Sequence, residues 1–273
     1  MKSKYFDCHT HSTNSSDAHA PMEGLFEAAV VHGLLGIAVT DHYDYYTVSS
    51  LCGEDYVAAV AGSVAEYQRI QASGKFAGKL ETRLGIELGE ATHNIPRAEE
   101  VLATGDFDFT LASQHALRDE EDFCFWDYEG VDLIRSFDRM YHEMLEILDW
   151  GKFDILSHIN YPLRYSITKA GKSVGMEPFK EVLTQLFTRV AQAGKGIEIN
   201  TSGLRQGAGC TFPSLEYFKL YKACGGEIVT MGSDAHCVEH VAADFDIAAA
   251  ILREAGFNYA AYYTRHQPTF YKL

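Results

Sequence analysis

Seven short apolar runs rich in β-branched and aromatic residues, near 5–8, 36–40, 82–87, 109–113, 154–157, 196–200 and 227–232, alternate along this chain with segments of helical period. Strands separated by helices pair in parallel, because each crossover must carry the chain back over the sheet before the next strand begins. Seven such units with no evident linker, joined by crossovers of one hand, predict a closed or nearly closed α/β barrel. The length of 273 residues suits one barrel domain spanning 1–273. In that architecture function collects at the carboxyl ends of the strands.

The helical period is clearest over 131–148, where Val131, Ile134, Phe137, Tyr141, Leu145 and Leu148 form one apolar stripe opposite acids and arginines. Pro21, Pro96, Pro178 and Pro213 stand near helix starts, where a missing N–H is harmless, and Gly33, Gly194 and Gly225 stand near helix ends. The acid- and aromatic-rich stretch 116–130 reads as a loop, either a lid or a surface segment with an apolar anchor.

Six of the seven strand-like runs end in a potential metal ligand or lie beside one. His9 and His11, at i and i+2, project from one face of the first strand with Cα atoms about 7 Å apart, within chelating reach of one ion. Thr40-Asp41-His42, Gly85-Ile86-Glu87, Ser113-Gln114-His115, Leu156-Ser157-His158 and Gly232-Ser233-Asp234-Ala235-His236 follow later runs. Six of the twelve histidines therefore gather at strand ends, while His19, His32, His93, His142, His240 and His266 fall in helical or loop contexts. Glu87 and Asp234 add anionic oxygens suited to bridging divalent ions, and Asp17 offers another from the loop after the first strand.

These ordered motifs, from Asp7-x-His9-x-His11 to Gly232-Ser-Asp234-x-His236, resemble those of the polymerase and histidinol phosphatase (PHP) superfamily over nearly the whole chain. The segment Gly196-Ile-Glu198-Ile-Asn200-Thr-Ser202-Gly203-Leu204-Arg205 with Phe212-Pro213, and the ending from Gly256-Phe257 to Tyr263, are similar to its histidinol-phosphatase branch. The resemblance implies a distorted, TIM-barrel-like (β/α)7 barrel holding three divalent ions. By the family pattern His9, His11, Glu87 and Asp234 hold the first, Glu87 bridges to a second held with His115 and His158, and Asp17, His42 and His236 hold the third. His19 is close enough in sequence to compete with Asp17. Asp7 and Asp41 are expected either to orient ligating imidazoles or to cap turns. A His/Asp/Glu set accepts zinc, manganese or iron.

A phosphomonoester dianion repels hydroxide and has a poor alkoxide leaving group, and divalent ions offset both difficulties by activating water and spreading phosphoryl charge. His9, His11, Glu87, Asp234 and His236 are the expected catalytic set, with hydrolysis proceeding without a covalent enzyme intermediate. Arg164 and Arg205, read as loop residues on the same barrel face, are expected to grip the phosphate, whereas Lys169 and Lys172 fit a mobile basic loop without a role. Gly171, Gly203, Gly207 and Gly209 form no phosphate-cradling motif.

The 23 Lys+Arg stand against 38 Asp+Glu, and the resulting charge of −15 repels polyanions. The expected substrate is thus a small phosphomonoester, with L-histidinol phosphate implied by the resemblance, and no nucleic acid. Its cationic amines would find surplus carboxylates such as Glu90, Asp119 or Glu120. A PHP phosphoesterase for nucleotides or nucleic-acid ends is the alternative enzyme, and a noncatalytic metal-stabilised module the alternative of another class. No run is long enough to span a bilayer, and six scattered cysteines without a Cys-x-x-Cys pair read as reduced thiols. With a strand by Tyr5 and no apolar leader, a cytoplasmic location is expected.

Overall fold

A computed structural model describes residues 5–46, 48 and 56–273. Its strands are β1 (Phe6–Asp7), β2 (Gly36–Val39), β3 (His42–Tyr43), β4 (Glu81–Gly89), β5 (Phe109–Ser113), β6 (Ile155–Leu156), β7 (Gly196–Asn200), β8 (Val229–Gly232), β9 (Tyr259–Thr264) and β10 (Gln267–Lys272). The helices are α1 (Met22–His32), α2 (Tyr56–Ser73), α3 (Ile95–Leu102), α4 (Leu133–Trp150), α5 (Pro162–Ala170), α6 (Lys180–Gln192), α7 (Ser202–Arg205), α8 (Leu215–Ala223) and α9 (Phe245–Glu254).

Parallel pairing runs β1-β2-β4-β5-β6-β7-β8, and β3 extends the β2 line by pairing with the second half of β4. Backbone hydrogen bonds from Cys8 to Met231, Asp234 to His9 and His11 to Ala235 close the ring between β8 and β1. The seven expected strands are thus present, and the fold is a seven-stranded, TIM-barrel-like α/β barrel. Strands buried on both faces explain why the runs read as nearly continuous apolar segments.

Large side chains fill the barrel interior. Phe6, Cys8, Ala38, Phe109, Leu111 and Ile155 form a small core separate from the larger one between strands and helices. Its amino-terminal mouth is covered by the antiparallel hairpin β9–β10: Tyr262 stacks on Phe6 at 4.4 Å and Tyr263 on Phe109 at 5.8 Å between ring centroids. The hairpin thus plugs the amino-terminal mouth, and the ligand-bearing strand ends lie at the other.

The hairpin is an element the sequence reading does not contain. Its turn, Arg265-His266, has φ of 50° and 62°, yet carries neither glycine nor asparagine to signal such a turn. Tertiary contacts hold it instead: Asp108 accepts from the Arg265 amide through its side chain and from the His266 amide through its carbonyl, and the His266 ring lies 2.8 Å from Asp154.

On α4, Phe137, Met140, Tyr141, Met144, Leu145 and Ile147 are buried, whereas Ile134 is 54% exposed and leaves the expected stripe. Asp132 caps this helix by accepting from the Arg135 amide at 3.1 Å. Residues 116–130 have the apolar anchor: Phe123 and Tyr128 are buried, and Lys169 and Lys172 donate to backbone carbonyls of the segment. These two lysines therefore fasten a loop rather than form a mobile one. Five cysteines are free thiols, and Cys52 lies outside the described residues. Among those residues no helix is long and apolar enough to cross a membrane.

Candidate metal centre

Strand ends, and for Asp17 the loop between β1 and α1, bring all nine expected ligands to the carboxyl mouth of the barrel. Glu87, near the end of β4, is buried and faces histidines on both sides. Its Oε1 lies 2.8 Å from His158 Nε2 and 3.2 Å from His115 Nε2; its Oε2 lies 3.2 Å from His9 Nε2 and 3.3 Å from His11 Nε2. Asp234, just beyond β8, places Oδ1 3.5 Å from His11 Nε2 and 3.9 Å from His9 Nε2. Its αL backbone, at φ 54°, turns the carboxylate back into the barrel.

Toward solvent, Asp17 Oδ2 lies 3.0 Å from His236 Nε2 and 3.8 Å from His42 Nε2. The rings of His42 and His236 flank His11 at 4.2 and 4.3 Å. His19 is exposed, and its amide donates to the carbonyl of His236. Neither His19 nor Asp17 belongs to a group of clustered metal-ligating atoms among the described residues, and Asp17 is placed at the centre by its contacts with His236 and His42. Four overlapping groups do form: His9–His11–Asp234, His9–Glu87–His158, His11–His42–His236 and His42–Asp44–His115.

Asp44 and Glu198 are carboxylates to which the sequence reading gives no role. Asp44 Oδ1 lies 2.8 Å from His115 Nδ1, and its Oδ2 3.3 Å from His42 Nδ1. Glu198 Oε1 lies 2.7 Å from His9 Nδ1, while its Oε2 accepts from the His158 amide and from Asn200. Such contacts fix a ring's tautomer and orientation and leave its Nε2 free. Signals existed in the sequence: Asp44 stands two residues from His42, and Glu198 is a charge inside an otherwise apolar central strand.

Two glycines make room for these carboxylates. A Cβ on Gly89 would sit 2.0 Å from Asp44 Oδ1, and one on Gly232 would sit 1.9 Å from Glu198 Oε1. Asp7 and Asp41 take the turn-capping alternative. Asp7 accepts from Ser233, His9 and Ala242, pinning the β8 loop to β1, and Asp41 accepts from Ser12, Ser15 and Ser63.

Electrostatics show what the centre lacks without metal. Burial opposes charge on Glu87, but His9, His42 and His115 outweigh it and hold the carboxyl well below the usual range. Asp234 behaves likewise against its own burial, through His11, His9 and Arg164. Burial also opposes protonation of His9 and His115, yet the neighbouring carboxylates hold both well above the ordinary imidazole value. Burial, with His42 and His236 alongside, drives His11 down to about 3. The buried atoms Glu87 Oε2 and His42 Nδ1 lie 3.0 Å apart, close enough for an ion pair but without hydrogen-bond geometry. Ionised carboxylates held among imidazoles, with buried oxygen and nitrogen atoms facing one another at ion-pair distance without hydrogen-bond geometry, fit divalent transition ions.

Neither arginine lies in a plain loop. Arg164 is on α5, boxed by the rings of Tyr161, Tyr165 and Phe212, and its Nη2 donates to Ser202 Oγ at 2.6 Å and Asp234 Oδ2 at 2.9 Å. Arg205 ends α7 and donates from Nη2 to the Asp234 carbonyl at 2.7 Å, leaving its Nε and Nη1 without partners. The two therefore converge on one residue. Arg164, together with Glu87, His115, His158, Asp234 and His236, lines a cavity of about 260 Å³. A larger cavity of about 870 Å³ lies at the opposite end, among Asp108, Asp154 and His266, remote from this chemistry.

The PHP domain profile matches residues 7–202. The chain belongs to the PHP domain family. Within that family it is 26% identical over 264 residues to the histidinol-phosphatase of Lactococcus lactis, covering 93% of each chain. Its fold matches the crystal structure of histidinol phosphate phosphatase from the same organism, complexed with zinc, L-histidinol and phosphate. The TM-score is 0.83 at 22% identity, over 97% of this chain and 99% of the other.

Proposed function

We propose that this PHP protein is a metal-dependent phosphomonoester hydrolase that converts L-histidinol phosphate and water into L-histidinol and phosphate, a step of histidine biosynthesis. The observation that carries the reading is Glu87, one buried carboxylate whose Oε1 faces His115 and His158 and whose Oε2 faces His9, His11 and His42. A carboxylate so placed suits a bridge between two ions. The names of the curated relatives, at about a quarter identity over most of the chain, supply the substrate.

His9, His11, Glu87 and Asp234 would hold one ion, Glu87, His115 and His158 a second, and Asp17, His42 and His236 a third. Zinc, manganese and iron all suit this donor set. When bound, such ions supply an activated water and offset phosphoryl charge. Arg205 and Arg164 bind the nonbridging phosphate oxygens, Arg205 through its free Nε and Nη1 and Arg164 through its Nε. Glu198 and Asp44 hold the rings of His9 and His115 so that no reorganisation is needed during reaction.

A 260 Å³ cavity and a charge of −15 favour a small ester over a nucleic-acid end. We take the whole chain, 1–273, as one catalytic domain working in the cytoplasm, where its free thiols persist.

The test is kcat/KM after loading with each metal, across histidinol phosphate, nucleoside monophosphates, sugar phosphates and an aryl phosphodiester. The expected result is highest efficiency on histidinol phosphate. Hydrolysis of the diester alone, or of nothing, would reject the reading.

A further inference from the structure

Away from the ligands, the metal-centre cavity ends on a wall made by Tyr46, Asp122 and Phe125, with Tyr161 and Tyr165 alongside. Asp122 is only 4% exposed. Its Oδ2 accepts from the Tyr46 hydroxyl at 2.8 Å and its Oδ1 from the Cys124 amide at 2.6 Å. It is held beside the centre because Ala116 bridges to it and the Phe123 amide donates to the His115 carbonyl.

Among the described residues no lysine, arginine or histidine forms an ion pair with Asp122. Behind it lies a second buried carboxyl, Glu90, which accepts from the amides of His115 and Ala116 through Oε1 and whose Oε2 has no partner. Asp44, the third acid near this wall, is engaged by His115 and His42. A buried carboxylate without a cation is unfavourable. A cationic group on a ligand entering the cavity removes that cost.

Arg164 lines the same cavity, packed against Tyr161 and Tyr165, so an acidic and a basic side chain share one space. The geometry points to Asp122 as the specificity-determining residue that accepts a hydrogen bond from the ammonium group of an amino-alcohol phosphate. The rings of Tyr46 and Phe125, which Arg164 does not occupy, flank the rest of the alcohol and suit both a planar heterocycle and a cation. This inference rests on the phosphatase reading and adds the residue that selects an amine-bearing ester.

The experiment compares metal-loaded wild-type protein with Asp122→Asn on histidinol phosphate, on the same ester lacking the amine, and on an aryl phosphate. Wild type is expected to prefer the amine-bearing ester by about 30-fold or more, the loss typical of a charge-assisted hydrogen bond. Asp122→Asn, which keeps the shape that caps the Phe123–Phe125 turn, should reduce that preference by the same factor.

An equal loss on all three esters would assign Asp122 a structural role and overturn the inference. Equal wild-type efficiency with and without the amine would overturn it too, even should the variant fail to fold. In both cases aryl phosphate hydrolysis by wild type leaves the phosphatase reading standing. A wild type inactive on every ester would remove that reading and this one together.

Discussion

Oε1 of Glu198 lies 2.7 Å from Nδ1 of His9, and both side chains are fully buried. This pairing sets which nitrogen of His9 faces the centre of the barrel mouth. Exchanging the carboxylate for the isosteric amide keeps the packing and weakens the hold. Glu198→Gln is expected to lower zinc affinity about 10–100-fold while the fold persists, as read by competition with a chromophoric chelator. Wild-type affinity would mean that packing alone orients the ring.

Glu87 and Asp17 differ in what surrounds them. Glu87 is 1% exposed with imidazoles at both oxygens, whereas the Asp17 side chain is 58% exposed at the rim. Glu87→Gln should therefore release more than one ion per chain and abolish turnover, and Asp17→Asn should release at most one. Elemental analysis alongside kcat decides between them. Equal stoichiometry in the two variants would remove the bridging role.

Metal uptake should expel protons. In the metal-free protein His9 and His115 are held well above the ordinary imidazole value, and His236 is also raised, against its burial, through Asp17 and Asp234. Each must lose a proton before its nitrogen can coordinate, so apparent affinity falls as pH falls below those raised values and grows as pH rises. Calorimetry at pH 7 in buffers of different protonation enthalpy should show net proton release on loading. Chelation should also lower the melting temperature, since bound metal stabilises only the folded chain. Buffer-independent heats would contradict the protonation pattern.

The two arginines should separate fold from binding. Arg164→Ala leaves the buried Asp234 carboxylate without its guanidinium and is expected to cost about 3–5 kcal/mol of stability. Arg205→Ala removes one hydrogen bond to a backbone carbonyl and should melt close to wild type. Its kcat/KM should nevertheless fall by about 2–3 kcal/mol in transition-state terms, with weaker inhibition by inorganic phosphate. Similar melting temperatures for both variants would argue against the structural pairing of Arg164 with Asp234.

The sequence by itself determined the seven-strand alternation and the placing of His9, His11, His42, Glu87, His115, His158, Asp234 and His236 at strand ends. Both are local properties: strand period sets which face a side chain takes, and chain order sets where each strand stops. In a closed parallel barrel, ligands at carboxyl ends must then converge. Tertiary structure alone decided the pairings around them. Glu198 stands 189 residues from the histidine it orients, and Asp234 is 70 residues from Arg164. Asp7 and Asp41 lie beside ligands in sequence yet brace loops, while Asp44 takes the contact with His115 from 71 residues away. The Arg265-His266 turn likewise forms against local preference because Asp108 and Asp154 grip it. Period and motif report on neighbours along the chain, but the partner of a buried charge is whichever group the closed barrel brings within hydrogen-bonding distance.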